Sequence, residues 1–478
     1  MAELSAAMTI NGRSVSGGSH VDVLDPATEQ VWATVPECSP AELDDAFAAA
    51  AEAQQQWAKD ETLRRKALHT AANVLRRNCD ELAELLTREQ GKSLSDARGE
   101  IELSAGWLAA FADMTVPSEE ISYDYPGFAV TSTRRPLGVV AAITPWNYPI
   151  TLACWKLGPA LLAGNTVVLK PSPYTPVSTL RVGALLAEVL PAGVINVVSG
   201  GDSLGERMTA HPVPAKVSFT GSVSSGKAVA RSAADDLKRV TLELGGNDPA
   251  ILLDDVDPDE IATQLFWLSF ANNGQLCGCI KRVYVPVQHF DHLSELLAAA
   301  ARAVPVGPGL AEGTMLGPIN NRPQYERVLE LLDSALADGA KALAGGEPMP
   351  GPGYFLPPTI LVDVPPTSRV VQEEQFGPVL PLLPYTDLDA VIEDVNASKF
   401  GLGASVWGKD IERARAVAAR LDTGTVFINK HAQAAPNIPV GGAKWSGLGV
   451  ENGLDGLHEY TQVKVTFEAL DASPVGPN

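Results

Sequence analysis

The sequence predicts an α/β fold built from two doubly wound sheets, and three observations carry that expectation. From residue 137 short β-branched and aliphatic runs alternate with stretches of helical periodicity. A parallel sheet covered on both faces reads this way. A second alternation of the same kind runs from about residue 250 to 450. The length, 478 residues, exceeds one ordinary core, so two or three domains are expected.

The elements follow in order. "SPAELDDAFAAAAEAQQQW" opens a helix, because Ser39 can cap it, Pro40 suits the first turn and Glu42 completes a capping box. Helical periodicity continues through "TLRRKALHTAANVLRRN" and "DELAELLTREQGK". The runs "LGVVAAIT", "NTVVLK", "GVINVVS", "AKVSFTG" and "KRVTLEL" are strands, with helical stretches between them. Residues 137–245 are therefore one doubly wound unit, whose strand ends suit a nucleotide. "PQYERVLELLDSALADGA" and "DIERARAVAARL" are helices of the second unit. "ISYDYPGFAVTSTRR" has the alternation of two strands, with the late "YTQVKVTFEA" as natural partner. Strands projecting from a body in this way commonly pair with another subunit.

Composition excludes several classes. With 45% hydrophobic and 19% charged residues the chain is a globular protein, neither disordered nor fibrous. A net charge of -21 argues against nucleic-acid binding, which needs clustered Lys and Arg. No apolar run approaches the roughly 20 residues of a membrane helix. "MAELSAAMTINGRS" lacks the basic and apolar regions of a signal peptide. Five scattered cysteines fit a reducing compartment, so a cytoplasmic location is expected.

Three stretches bear chemistry. "NNGQLCGC", residues 272–279, sets Cys277 and Cys279 among turn and amide residues rather than on a packed apolar face. No second Cys or His pair stands at zinc spacing, so no metal site is expected. Cys38, Cys79 and Cys154 read as small buried apolar residues, whereas a loop thiol reacts if a neighbour takes its proton. Glu243, ending a strand before the glycines of "ELGGNDP", is either that neighbour or a solvated strand-end carboxylate. Asn147 in "TPWNYP" can offer its amide to a developing oxyanion or serve as a turn residue. "GSVSSGKA" mimics a P-loop, but Ala228 stands where Ser or Thr would hold magnesium. Its position between a strand and a helix still suits a dinucleotide pyrophosphate.

Together "PWNYP", "VVLKPSPYTP", "FTGSVSSG", "LELGGNDP", "NNGQLC", "EEQFGP" and "PVGGAKWSGLGVENG" resemble the aldehyde dehydrogenase superfamily, in order and over essentially the whole chain. The resemblance implies an aldehyde-dehydrogenase-like α/β fold. Residues 1–117 and 137–245 would bind NAD(P), 246–455 would be catalytic, and 118–136 with 456–478 would form an oligomerisation β extension. It implies a non-acylating NAD(P)-dependent enzyme that oxidises an aldehyde to an acid through a cysteine thiohemiacetal and a thioester. Cys277 would be the nucleophile, Asn147 the oxyanion donor and Glu243 the base for water. Lys156 and Glu451 would lie behind that base as a proton exit. Cofactor contacts would be Ile143, Trp146, Lys170, Gly221, Ser222, Gly226, Leu244, Glu374 and Phe376. Cys279 would be a pocket wall rather than a second catalyst. The assembly would be a homodimer or homotetramer.

Cofactor and substrate choice rest on departures from the pattern. Family members specific for NAD often carry a carboxylate three residues after the ribose lysine. Pro173 stands there, so NAD is expected with NADP possible. Trp155 occupies a position where members acting on acidic semialdehydes carry arginine, and "HAQAAPNIPV" also lacks one. A neutral aliphatic or aromatic aldehyde is therefore expected, lined by Tyr148, Trp155 and Leu276, with Gly278 and Ala434 leaving room for bulk. The alternatives are a coenzyme A-acylating relative, which generally lacks a base at Glu243, and a catalytically silent protein on this scaffold.

Overall fold

Five runs in which nearly every residue is buried pair in parallel: Val139–Ile143, Thr166–Lys170, Ile195–Val197, Lys216–Thr220 and Arg239–Glu243. The computed structural model describes residues 4–115 and 121–470. Residues 1–3 and 116–117 of the expected nucleotide-binding part, and 118–120 with 471–478 of the expected β extension, lie outside the described residues. The spatial order is Arg239–Glu243, Lys216–Thr220, Val139–Ile143, Thr166–Lys170, Ile195–Val197. The chain therefore winds one way from Val139–Ile143 and then the other. The reversal falls between Ile143 and Thr220, where a doubly wound sheet opens a crevice for its ligand.

Helices close both faces. Pro40–Trp57 begins at Ser39 with the expected reciprocal cap, Ser39 N to Glu42 Oε2 at 2.8 Å and Glu42 N to Ser39 Oγ at 3.3 Å. Pro149–Leu162 is almost wholly buried and follows the first strand, while Val223–Ala234 follows the fourth.

The second sheet has seven strands, in the order Lys341–Ala344, Thr359–Val362, Val379–Tyr385, Ile280–Pro286, Asp248–Leu252, Gly403–Trp407, Thr425–Ile428. All neighbours are parallel except the first pair. Alternate residues of the inner strand Asp248–Leu252 and the residue after it enter separate cores, Ala250 and Leu252 on one side, Ile251 and Leu253 on the other. This two-sided burial is why the strand reads as a continuous apolar run. Only Leu244, Gly245, Gly246 and Asn247 separate the last parallel strand of the first sheet from Asp248–Leu252 in the second. The C-terminal edge of one sheet thus faces the N-terminal edge of the other.

Ile121–Tyr125, Phe128–Pro136 and Thr461–Ala469 form a separate antiparallel sheet, as the sequence pairing suggested. Its register puts Ile121, Tyr123, Tyr125, Phe128, Val463, Val465 and Phe467 on one face, all exposed. Ser122, Asp124, Thr131, Lys464 and Glu468 take the other.

Four features depart from the expectation. Met8–Ile10 and Arg13–Val15 add two antiparallel strands to one edge of the first sheet, and Leu4–Ser5, Ser19–Asp25 and Gln30–Glu37 form a further small sheet. Gly447–Leu448, inside the expected catalytic stretch, instead pairs with Leu242 and Glu243 on the first sheet. Leu457 and Tyr460, inside the expected extension, pack in the first core, and the extension strand starts only at Thr461. Cys79 is half-buried rather than buried, because it sits at the first position of the helix Cys79–Gln90.

Candidate active site

The loop carrying Cys277 is shaped by three successive left-handed residues, Asn272 (φ 50°), Asn273 (φ 56°) and Gly274 (φ 74°). Asn tolerates this region better than other side chains, and Gly enters it freely. The turn ends the helix Pro258–Phe270 and delivers residues 275–279 to the strand Ile280–Pro286. Buried polar groups pin it. Lys281 Nζ donates to Gly274 O at 2.6 Å, Gln275 Nε2 to Asn272 O at 2.9 Å, and Asn320 N to Gln275 Oε1 at 2.8 Å.

Asn147 lies across from this loop, at the end of the first parallel strand. Its Nδ2 donates one hydrogen to Gln275 O at 3.0 Å, which leaves the second free. Its carbonyl accepts from Lys92 Nζ at 2.9 Å and Asn272 Nδ2 at 3.1 Å. Lys92 is itself fully buried against Glu100 at 2.6 Å, and Glu100 Oε1 accepts from Ile150 N and Thr151 N at 3.0 and 3.2 Å. One buried ion pair therefore anchors both the Asn147 carbonyl and the first turn of the next helix. Neither Lys92 nor Glu100 was singled out from the sequence, since nothing near "GKS" or "GEIEL" marks a long-range partner.

Glu243 ends its strand as expected, but it is buried and its Oε1 has no hydrogen-bond partner among the described residues. Burial raises its carboxyl well above the ordinary value, the Glu451 carboxylate adds to this, and the Lys156 ammonium opposes both. Lys156 and Glu451 are both fully buried and paired at 2.5 Å, and Lys156 also donates to Thr220 Oγ1 at 2.8 Å. The Cys277 thiol is pushed up to about 12, chiefly by burial, then by the carboxylates of Glu374 and Glu243. That influence sets Cys277, Glu243 and Glu374 in one neighbourhood.

A cavity of about 240 Å³ opens at the switch point between the sheets. Cys277, Asn147 and Leu152 line one part of it; Thr220, Gly221, Ser222, Glu374 and Phe376 line another, joined by Trp146, Leu244 and Gly245. Gln324 and Arg327 also line it and were not named from the sequence, because they sit on an unremarkable amphipathic helix, Arg322–Ala337. Gln324 Nε2 donates to the carbonyls of Gln375 and Phe376 at 2.9 and 3.1 Å. Phe376, itself left-handed (φ 49°), meets Trp146 edge-on with centroids 5.2 Å apart. Glu374 Oε1 accepts from Gly246 N at 2.9 Å, and burial pushes its carboxyl up to about 7.

The paired glycines are explained by close approach rather than by backbone strain. A Cβ on Gly245 would fall 2.9 Å from the Glu374 carboxyl carbon, and one on Gly246 2.6 Å from Cys277 O. Gly226 accommodates Leu244, and Gly221 accommodates the Phe219 ring, so protein neighbours alone require both. Ser222 caps its own helix, its Oγ accepting from Ser225 N at 3.1 Å. Lys170 is buried at the end of its strand, donating to Pro171 O at 3.2 Å, and burial lowers its ammonium to about 8. Ile143 ends the neighbouring strand.

Leu276 and Gly278 flank Cys277, and Tyr148 lies beneath the Lys92 ammonium at 3.7 Å. Trp155 stacks on Trp107 with centroids 5.4 Å apart, while Ala434 is exposed.

The model of the aldehyde dehydrogenase family matches residues 14–466. Among solved structures, the NAD+ complex of an aldehyde dehydrogenase from Bacillus cereus superposes with a TM-score of 0.95 at 36% identity, covering 98% of this chain and 97% of that one. An NADP-dependent enzyme from E. coli gives 0.95 at 36% identity over 98% of both chains. Betaine aldehyde dehydrogenase from Staphylococcus aureus in complex with NAD+ gives 0.95 at 32%, over 99% of this chain and 96% of that one.

Proposed function

The chain belongs to the aldehyde dehydrogenase family, and on that premise we propose that it oxidises a neutral aldehyde to the carboxylic acid with NAD, NADP being a possible substitute. The single observation that carries this reading is the shared cavity, in which Cys277 and Asn147 face Glu374, Phe376 and Ser222.

The chain's own residues divide the work. The Cys277 thiolate adds to the aldehyde carbon, giving a thiohemiacetal. The free hydrogen of Asn147 Nδ2 and the Cys277 backbone N–H then hold the oxyanion. Bound dinucleotide supplies the acceptor for the hydride that leaves this carbon, and a thioester remains on Cys277. Glu243, whose Oε1 is otherwise unpartnered, takes a proton from water. The oxygen bonds to the acyl carbon, the carbon–sulfur bond breaks, and the acid leaves. Lys156 and Glu451, paired at 2.5 Å, lie behind the base, and the Glu451 carboxylate is the group able to receive its proton.

The residues present fit a dinucleotide. Glu374 offers a carboxylate oxygen to ribose hydroxyls, and Lys170 a buried ammonium. The helix that starts at Ser222 presents its positive end to a pyrophosphate.

A neutral substrate is supported by the state of the cavity's one lining cation among the described residues. Arg327 is already paired with Glu330 and Glu373, so a carboxylated aldehyde finds no uncommitted charge. Water as acyl acceptor is supported by the buried carboxylate of Glu243. The exposed apolar face of the three-stranded sheet is where two or four copies assemble. No helix among the described residues is long and apolar enough to cross a membrane.

The test is Cys277→Ser. Formation of reduced dinucleotide over an aldehyde panel should vanish while dinucleotide binding is kept. Turnover in that variant would overturn the assignment. A thioester product in the presence of coenzyme A would replace hydrolysis by acyl transfer.

A further inference from the structure

One face of the strand Lys216–Thr220 is entirely polar, although the strand is buried on both sides. Val217 and Phe219 join the first core, while Lys216, Ser218 and Thr220 alternate with them and share the other face. Each of the three meets a buried group. Lys216 Nζ donates to Thr241 Oγ1 at 2.6 Å and lies 4.9 Å from the centroid of the Tyr460 ring. Thr220 Oγ1 accepts from Lys156 Nζ at 2.8 Å, and Ser218 Oγ donates to Glu451 Oε1 at 3.2 Å. Tyr460, fully buried, donates its hydroxyl to Ser218 Oγ at 3.1 Å. Its backbone is fixed as well, the carbonyl accepting from Asn165 Nδ2 at 3.0 Å. Neither Ser218 nor Tyr460 is among the lining residues of the cavity.

We propose that Ser218 and Tyr460 are positioning residues for hydrolysis of the thioester. Tyr460 orients the Ser218 hydroxyl, Ser218 and Lys156 together commit Oε1 of Glu451, and Oε2 is left as the oxygen that takes the proton from Glu243. The inference rests on Glu243 being the base and Glu451 its acceptor.

Three observations support it. A hydroxyl has one hydrogen, and a carboxylate paired with a lysine only accepts, so the bonds run from Tyr460 through Ser218 to Glu451. Glu451 Oε1 accepts from both Lys156 and Ser218, whereas Glu451 Oε2 and Glu243 Oε1 have no partner among the described residues. The last torsion of a glutamate is broad and roughly two-fold, so two donors on one oxygen decide which oxygen stays open. Finally, Glu243 pairs in register with Thr220, and Thr220 shares Lys156 with Glu451, which joins the two open carboxylates through one ammonium. In the step itself the water oxygen bonds to the acyl carbon and its proton passes to Glu243, then to Glu451 Oε2. The carbon–sulfur bond breaks with its electron pair on sulfur.

The experiment acetylates the full-length enzyme with p-nitrophenyl acetate, which requires neither aldehyde nor dinucleotide. Sulfur displaces nitrophenolate, a carbon–sulfur bond replacing a carbon–oxygen bond, and water then releases acetate. Nitrophenolate absorbance in the first turnover reads acylation. Intact-protein mass spectrometry after removal of the ester reads loss of the acetyl adduct. In Tyr460→Phe and Ser218→Ala, acylation should stay within about twofold of wild type while adduct loss slows about three- to tenfold, the weight of one hydrogen bond in a rate. The double variant also removes the hydroxyl that Ser218→Ala leaves unpaired. It should lose its adduct no more slowly than Ser218→Ala, because both changes act through one oxygen. Adduct loss at the wild-type rate, equal slowing of acylation and adduct loss, or additive slowing in the double variant each overturns the proposal. Should Ser218→Ala not fold, Tyr460→Phe decides it by the first two criteria. Glu243→Gln separates this inference from the reading beneath it. Unimpaired adduct loss there removes the base and the proposal together. Impaired loss there, with wild-type loss in Tyr460→Phe and Ser218→Ala, overturns only the part given to Ser218 and Tyr460.

Discussion

Gly245→Ala is a one-methyl test of how the cavity is built. Gly245 is not in the left-handed region, so alanine introduces no backbone strain, and its effect is confined to contact. The new Cβ would lie 2.9 Å from the Glu374 carboxyl carbon and inside contact of Oε2. The Glu374 side chain must swing away, losing its bond from Gly246 N at 2.9 Å and vacating the position from which it would meet ribose hydroxyls. A hydrogen bond to a charged group contributes about 1.5–3 kcal/mol. At about 1.4 kcal/mol per factor of ten, losing one such bond to the ligand weakens dinucleotide binding roughly 10- to 150-fold. Thermal unfolding should move by only a few degrees, since a flexible side chain absorbs the clash. The assay is a titration of NAD followed by quenching of intrinsic tryptophan fluorescence, Trp146 being in the cavity wall. Glu374→Ala alone should weaken binding similarly, and Gly245→Ala on that background should add little, because both act through one carboxylate. Undiminished affinity in Gly245→Ala, or full additivity in the double variant, would refute the reasoning.

Glu243→Gln should leave the first turnover nearly intact and stall the second, with an acyl adduct on Cys277 visible by intact-protein mass spectrometry. An enzyme that turns over without adduct would remove Glu243 from the base role. The Glu374 carboxyl, pushed up to about 7 by burial, must be ionised to accept from ribose hydroxyls. NAD affinity should therefore rise as pH increases through about 7, with the slope lost in Glu374→Gln. The same shift carries the opposite sign for folding. A raised carboxyl binds its proton more tightly in the native state, so its contribution to stability is lost as pH rises toward about 7. Phe467→Asp, on the exposed apolar face with Tyr125 and Phe128, should yield a smaller species by light scattering with circular dichroism unchanged.

The legible parts of the fold were those in which one local rule sufficed. The cap at Ser39 and the continuous buried runs of the two parallel sheets each reflect a rule that a short window contains. The illegible parts depend on partners remote in sequence. Met8–Ile10 is three residues long, pairs with Arg13–Val15, and joins the sheet only through Val197. Gly447–Leu448 has no strand pattern at all and exists because Glu243 and Leu242 expose an edge. In the site, Cys277, Glu243 and Asn147 stood out as candidates by residue type and flanking turns, and the roles proposed for them came from the family resemblance. Lys92 and Glu100 looked like ordinary surface charges of helices and became structural only through contact with Asn147 and Ile150.

That contrast exposes how charge is distributed around the cleft. The buried groups that hold the frame have partners: Lys92 with Glu100, Lys156 with Glu451, Lys281 with a carbonyl. Glu243, the proposed base, has no partner on Oε1 among the described residues, as Glu451 has none on Oε2, and the Glu243 carboxyl is raised. An unsatisfied buried carboxylate costs about 1–3 kcal/mol or more, and a fold selected only for stability would remove it. Water can satisfy it by donating a hydrogen bond, the arrangement that the proposed base role requires. The same burial makes the thiol a poor thiolate, since nearby carboxylates raise it alongside desolvation. The paired lysine behind Glu243 is arranged to moderate the base rather than to neutralise it: Lys156 bonds Glu451 and Thr220, and leaves Glu243 Oε1 open.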